Sequence, residues 1–367
     1  MSLLATENEP LLPKAPANVI TFEPNDPEDP RNWSRTRKWL MIASIVPIDL
    51  SVSWGASGFS PVAGDFGKDM DVSASVAVLG LSMYVLGLAF GPMTLAPLSE
   101  YFGRRPVALR NATGDEELEV PDEMKQRGPK QLFGTALARP FRFLGTEAIV
   151  QFGALYNGFL YGLSFLFNGA FHMIFGPDGY GFDTIGVGIS FLGIVAGITI
   201  GLGTNIFQER YYQRRVIQAG NRDVPEARVH HAKLAAIVLP VSLLAFALTA
   251  TPNIHPFFAV LASAFWGWSF YTLILMTLTY TEDAYKTYSA SALAGIGLIR
   301  NLAGAGFPLV GRHLFLSVGT RNASLVLMAI AICLAPIPFV LEKRGVSLRK
   351  RSPWAAAHEE EDESSQE

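Results

Sequence analysis

Apolar positions along this chain gather into eight runs, at 39–60, 76–98, 148–171, 185–207, 234–251, 257–280, 288–311 and 323–341, with polar stretches between them. Each run is near the roughly 20 residues that carry a helix across about 30 Å of hydrocarbon, so the pattern predicts about eight membrane-crossing helices. Asp49 and Arg300 are the charged residues inside the runs. Half of the 367 residues are hydrophobic and only 17% are charged, which is more apolar than a soluble domain of this size requires. The net charge of -3 adds little, because the charges sit in loops and tails. The single cysteine, Cys333, excludes a disulfide framework within one chain and reads as a small buried hydrophobe.

Residues 1–38 carry prolines 10, 13, 16, 24, 27 and 30 and no long apolar run, and are expected to form a flexible cytosolic tail without a cleavable signal. Trp33 and Trp39 suit the headgroup region, where aromatic rings anchor. With the N-terminus inside and eight crossings, 25 of the 29 basic residues fall on the cytosolic side. Lys68, Arg312 and Arg321 fall outside and Arg300 lies within the membrane. That bias places both termini in the cytosol.

Within the runs, a few residues carry the chemistry. Asn157, Tyr161, Ser164 and Asn168 recur at i, i+4, i+7 and i+11, which puts them on one helical face. A polar face in lipid must meet protein or water, so it is either the wall of a substrate cavity or hydrogen-bonding glue between helices. Asp49 lies ten residues past Trp39, about 15 Å along a helix and close to the midplane, with Arg300 at similar depth. An ionisable group there costs several kcal/mol unless paired or hydrated. Asp49 could therefore be a proton carrier, because burial raises a carboxylate pKa, or half of an ion pair. Gly193, Gly197 and Gly201 form consecutive Gly-x-x-x-Gly units and Gly87 with Gly91 another, faces that let helices approach closely. His230 and His231 have no neighbouring ligands, so no metal is expected. No nucleotide-binding loop or hydrolytic triad is present, and neither cofactor, enzymatic activity nor nucleic-acid binding is expected.

The second run ends in a stretch from Gly91 to Pro106 that contains Ala96-Pro97-Leu98-Ser99-Glu100 and then Gly103-Arg104-Arg105-Pro106. Here a hydrophobic helix stops at a tight turn whose glycine permits φ > 0 and whose arginines stay in water. This stretch resembles the loop between helices 2 and 3 of major facilitator superfamily transporters, specifically the fungal twelve-helix drug:proton antiporter branch. Asp26-Pro27 through Pro30-Arg31-Asn32-Trp33-Ser34 resembles that branch's entry to helix 1. Arg139 to Glu147 resembles its approach to helix 7, as a short interfacial amphipathic segment. Tyr280-Thr281-Glu282-Asp283 and Leu298-Ile299-Arg300-Asn301 resemble the end of helix 10 and helix 11, and Ala335-Pro336-Ile337-Pro338 resembles helix 12. The resemblance implies an all-α helical bundle and a gating role for Glu100, Gly103, Arg104 and Arg105. It implies packing or gating for Arg300, and a central cavity lined by the helix that holds Asn157.

One departure matters. Arg104-Arg105-Pro106-Val107 runs directly into Ala108-Leu109-Arg110-Asn111, a string resembling the central cytosolic loop that normally follows helix 6. Helices 3 to 6 are therefore expected to be absent, through splicing, an error in predicting the gene's coding stretches, or gene decay. The expected organisation is a tail at 1–38, a two-helix N-terminal remnant at 39–106, a central cytosolic loop at 107–147, a six-helix C-terminal half at 148–341 and an acidic cytosolic tail at 342–367. The resemblance implies proton-coupled export of small organic compounds such as drugs, toxins, polyamines or secondary metabolites, at the plasma membrane or else the vacuolar one. The alternative is a transport-inactive membrane protein that pairs with or modulates a full-length relative. On the missing wall, the chain is not expected to transport by itself. In intact relatives the Gly193 to Gly201 face meets helix 5, so it is expected to lack a partner here and to offer a route to self-association.

Overall fold

A computed structural model describes residues 32–59, 63–101, 129–177, 179–220 and 222–355. Among them the chain is helical: α1 (Arg35–Ser57), α2 (Ala63–Asp69), α3 (Ala74–Tyr101), α4 (Pro129–Thr146), α5 (Ala148–Phe175), α6 (Thr184–Ser190), α7 (Leu192–Gln218), α8 (His230–Thr249), α9 (Pro256–Tyr285), α10 (Ser289–Leu334) and α11 (Pro336–Lys350). Short 3₁₀ turns at Pro225–Val229 and Lys286–Tyr288 link α7 to α8 and α9 to α10.

Among the described residues six stretches are long and apolar enough to cross a membrane: Ala148–Phe175, Thr184–Gln218, Pro225–Thr249, Pro256–Tyr285, Ser289–Gly311 and His313–Lys350. These are the six runs expected of the C-terminal half, so the protein is a multi-pass membrane protein. The two N-terminal runs are also helical, as α1 and as α3, whose apolar part is Val76–Pro92. The last two runs join into the single long α10, broken where Gly319 takes φ 79°, a conformation open to glycine but not to most side chains. The final crossing then restarts at Pro336, where a missing N–H costs nothing in the first turn. Asp183 starts α6 by accepting a hydrogen bond from the Gly186 amide at 2.8 Å.

The core is built around α5. Tyr156, Leu160, Leu163, Phe167, Phe171 and Phe175 are each buried to 2% exposure or less. Phe167 meets Phe246 of α8 and Trp266 of α9 at ring separations of 5.4 and 5.0 Å, and Phe171 stacks on Phe191 at 4.5 Å. Such rings supply large buried areas and a geometric preference together. At one end of the bundle the Tyr180 hydroxyl donates to the Thr249 carbonyl at 2.9 Å. At the opposite end, the starts of α5 and α8 and the ends of α7, α9 and α11 meet in a polar layer.

Three expectations need correction. The Gly193, Gly197, Gly201 face is covered within the chain, because it packs on α9 so closely that a Cβ on Gly197 would lie 1.9 Å from the Ala264 carbonyl oxygen. It is therefore closed to self-association through those glycines; α9 occupies the space expected to stand empty. The acidic tail does not begin at 342: α11 runs to Lys350, and Arg349 is buried in an ion pair with Glu226. Cys333 is exposed on the outside of the bundle rather than buried. Gly87 keeps its open face, with no neighbour a Cβ would meet.

Helix α3 docks on α10 through a reciprocal pair of bonds. The buried Ser82 hydroxyl donates to the Ala305 carbonyl at 2.8 Å, and the Asn301 amide donates to the Leu88 carbonyl at 2.9 Å. Leu81 and Val85 of α3 pack with Phe165 and Ala305 beside them. In contrast, every α1 side chain described from Arg35 to Gly55 is exposed. The Tyr84 hydroxyl of α3 donates to its Val52 carbonyl at 3.0 Å.

Candidate functional site

The sequence places Asn157, Tyr161, Ser164 and Asn168 on one face of α5, and the structure shows what each meets. Asn157 is fully buried; its Nδ2 donates to the Gly153 carbonyl one turn back at 2.9 Å, and its Oδ1 has no hydrogen-bond partner among the described residues. An unsatisfied acceptor in so dry a place costs about 1–3 kcal/mol. Tyr161, one turn on, is half-buried against Phe165 at a ring separation of 5.2 Å. Ser164 and Asn168 continue the stripe, both half-buried.

Arg300 joins this stripe from α10. Its guanidinium carbon stands 5.0 Å from the Tyr161 ring centroid, and its Nε is buried without a hydrogen-bond partner among the described residues. Two residues singled out for different reasons thus form one pair. A cation over an aromatic face gains about 0.5–2 kcal/mol, more as water is excluded. Glycines make the approach possible: a Cβ on Gly304 of α10 would meet the Tyr161 ring at 3.0 Å, and one on Gly162 of α5 would meet Phe307 at 2.7 Å.

Asp49 is not brought to this site. It sits on α1, exposed, and neither a hydrogen bond nor an ion pair to it occurs among the described residues. Glu100 lies in the last turn of α3, and nothing is described of its side chain; Gly103, Arg104 and Arg105 lie outside the described residues.

The polar layer at the basic end was not anticipated as a unit. Arg228 donates to Asp283 and to Glu209, both at 2.8 Å, and its guanidinium stacks 3.3 Å over Tyr212. Gln208 donates to the Ala227 carbonyl and accepts from the His231 amide, fastening α7 to the start of α8. Beside it opens a cleft of about 70 Å³ between α7, α8 and α9, lined by Thr204, Asn205, Arg228, His231 and Tyr271 among others. His230 stacks on Tyr211 at 4.2 Å, and among the described residues no cluster could hold a metal ion. Lys233 pairs with Glu342, and Glu147 accepts from the Tyr285 hydroxyl at 2.8 Å. The signal available in the sequence was alternation, since these charges all fall at ends of successive runs that must lie on one side.

A bundle of six apolar helices of crossing length, with a polar stripe inside it and its charges layered at one end, has the form of half a secondary transporter. The relatives agree. The chain is 33% identical to the efflux pump atB of Aspergillus terreus over 69% of its own length and 54% of the pump's. It is 24% identical to the major facilitator-type transporter sorT of Penicillium rubens over 95% of its length and 90% of sorT's. It is also 25% identical to the multidrug transporter FLU1 of Candida albicans over 95% and 78%. The chain belongs to the major facilitator superfamily, among relatives that are fungal multidrug and efflux transporters. It spans about half the length of atB. The match to sorT extends over 478 aligned positions, more than the 367 residues of the chain, so sorT carries inserted stretches this chain lacks. No family model and no solved structure matches it.

Proposed function

We propose that this chain acts in proton-coupled export of small organic compounds across the plasma membrane, by alternating access about a site near the middle of the bundle. The observation that carries this is similarity over more than nine-tenths of the chain to transporters named for multidrug and efflux activity. Asn157, Tyr161, Ser164 and Asn168 form the substrate-facing wall, with Arg300 holding the Tyr161 ring in place. Asp49 carries the proton, and Glu100 with Gly103, Arg104 and Arg105 stabilises one gating state. Both termini lie in the cytosol, on the side of the Arg228 layer.

A second reading has its own observation: the exposure of α1 on all sides leaves the wall opposite α5 unbuilt. On that reading the chain does not transport alone and pairs with a full-length relative. Efflux of a labelled amphipathic drug from vesicles containing this chain alone separates the two. Saturable transport that follows the proton gradient and is lost in Asp49→Asn and reduced in Asn157→Ala supports the exporter. Absence of transport alone, with altered efflux on co-expression of a full-length relative, supports the second.

A further inference from the structure

The last described residues form a fitted plug rather than a loose end. After α11, Ser352 is only 5% exposed and accepts hydrogen bonds from the amides of Trp354 and Ala355, both at 3.2 Å, so it caps a new helical turn that Pro353 begins. That turn seats Trp354 between Phe143 of α4, at 5.3 Å, and Tyr288, edge-on at 5.0 Å, with the Arg142 guanidinium 5.7 Å from its ring. Ala355 is 3% exposed beneath it. The Ser352 side chain is within hydrogen-bond reach of the Tyr285 phenol, which itself donates to the buried carboxylate of Glu147.

The same serine carries a second pattern. It follows Arg349-Lys350-Arg351 and precedes Pro353. Basic residues two and three positions before a serine match the acidic substrate clefts of arginine-directed serine kinases; Lys350, two before, is exposed, while Arg349, three before, is held against Glu226 and is read only once the end of α11 opens together with the serine. We propose that Ser352 is a phosphorylation site for such a kinase, and that its phosphate holds residues 352–355 off the basic end of the helical bundle.

The reaction is a phosphoryl transfer. The Ser352 oxygen forms a bond to the γ-phosphorus of a nucleoside triphosphate, the bond from that phosphorus to the diphosphate breaks, and the hydroxyl proton leaves through the kinase's base. Because Ser352 is buried in the docked state, the transfer occurs while the short segment is open, and the product prevents reclosure. A phosphate of nearly two negative charges cannot return to a pocket that holds the Glu147 carboxylate. Arg139 and Arg142 stand at the rim of the slot, over Tyr288 and Trp354, and so draw an opened phosphate outward rather than into the Glu147 pocket. The inference rests on the inside assignment of this end, which labelling at Arg215 tests separately.

The test uses the full chain in detergent, with Cys333→Ser and Ala355→Cys, incubated with an arginine-directed serine kinase and ATP. The expected result is phosphate at Ser352 by mass spectrometry, absent in Ser352→Ala, together with faster maleimide labelling at position 355. Trp354→Ala, which empties the slot, is expected to raise the initial phosphorylation rate by at least about threefold, because the open state becomes commoner. No phosphate at Ser352 in either the parent chain or Trp354→Ala overturns the site. Phosphate with unchanged labelling at 355 overturns the release, and would mean that the rim arginines hold the phosphorylated turn in place.

Discussion

The Arg300 guanidinium lies 5.0 Å from the centroid of the Tyr161 ring, joining α10 to the polar face of α5 in the interior of the bundle. Replacing the ring tests what the contact is for. Tyr161→Phe keeps the π face and is expected to leave thermal stability within about 0.5 kcal/mol, whereas Tyr161→Leu loses about 1–2 kcal/mol. If transport is measurable, the Leu variant should also lose roughly tenfold in apparent drug affinity for a loss of about 1.4 kcal/mol. Equal behaviour of the two variants in a thermal-shift series would show that the ring face is not used.

The approach of α7 to α9 predicts an intolerance confined to particular glycines. Gly197→Val brings its Cβ against the Ala264 carbonyl, so the helices must separate and the folded bundle should lose about 3 kcal/mol or more. Gly203→Ala, on the same helix with nothing near its Cβ, should be neutral or slightly stabilising. Size-exclusion profiles of fluorescently tagged variants after heating read the difference directly.

Arg228 holds two carboxylates from two helices. Arg228→Ala leaves Asp283, with only 14% of its side chain exposed, as an uncompensated negative charge. A loss of about 2–4 kcal/mol is expected, most of it recovered in Arg228→Ala with Asp283→Ala because the stranded charge is then gone. Glu209, at 45% exposure, should matter less. A double-mutant cycle on melting temperature measures both.

Topology can be read from residues whose exposure is alike. In a Cys333→Ser background, cysteines at Lys68 and Arg321 are expected to label from outside intact cells, and one at Arg215 only after permeabilisation. All three native side chains are exposed, so a difference reports the side of the membrane rather than burial. Labelling at Arg215 in intact cells would overturn the inside assignment of the α7–α8 connection.

The helices and the family were legible because both are written locally: apolar runs of crossing length, and short motifs in a fixed order. The polar face of α5 was legible for the same reason, since Asn157 to Asn168 follow helical periodicity. What Tyr161 touches was not, because Arg300 is far away in sequence and nothing in either segment marks the other. The glycines on α7 declared a close approach without declaring the neighbour, and the inference that helix 5 was needed failed because α9 of the same chain fits that face. The docking of Trp354 was hidden by an acidic stretch nearby that made the whole end read as solvated. Its partners, Phe143 and Tyr288, lie before α5 and before α10, and only the folded bundle brings those ends together.

The seam between α3 and α10 is made of side chains that donate to main-chain carbonyls, Ser82 to Ala305 and Asn301 to Leu88. A carbonyl is supplied by any residue, so the bonds themselves do not require a particular side chain at Ala305 or Leu88. The two bonds thus depend on two donor positions, one per helix, while the packing of Leu81, Val85 and Phe165 still limits the size of the residue at 305. A joint held within two helices is one that recombination can preserve: a chain that gains or loses other helices still inherits it, provided the serine, the asparagine and the small apolar patch beside them survive.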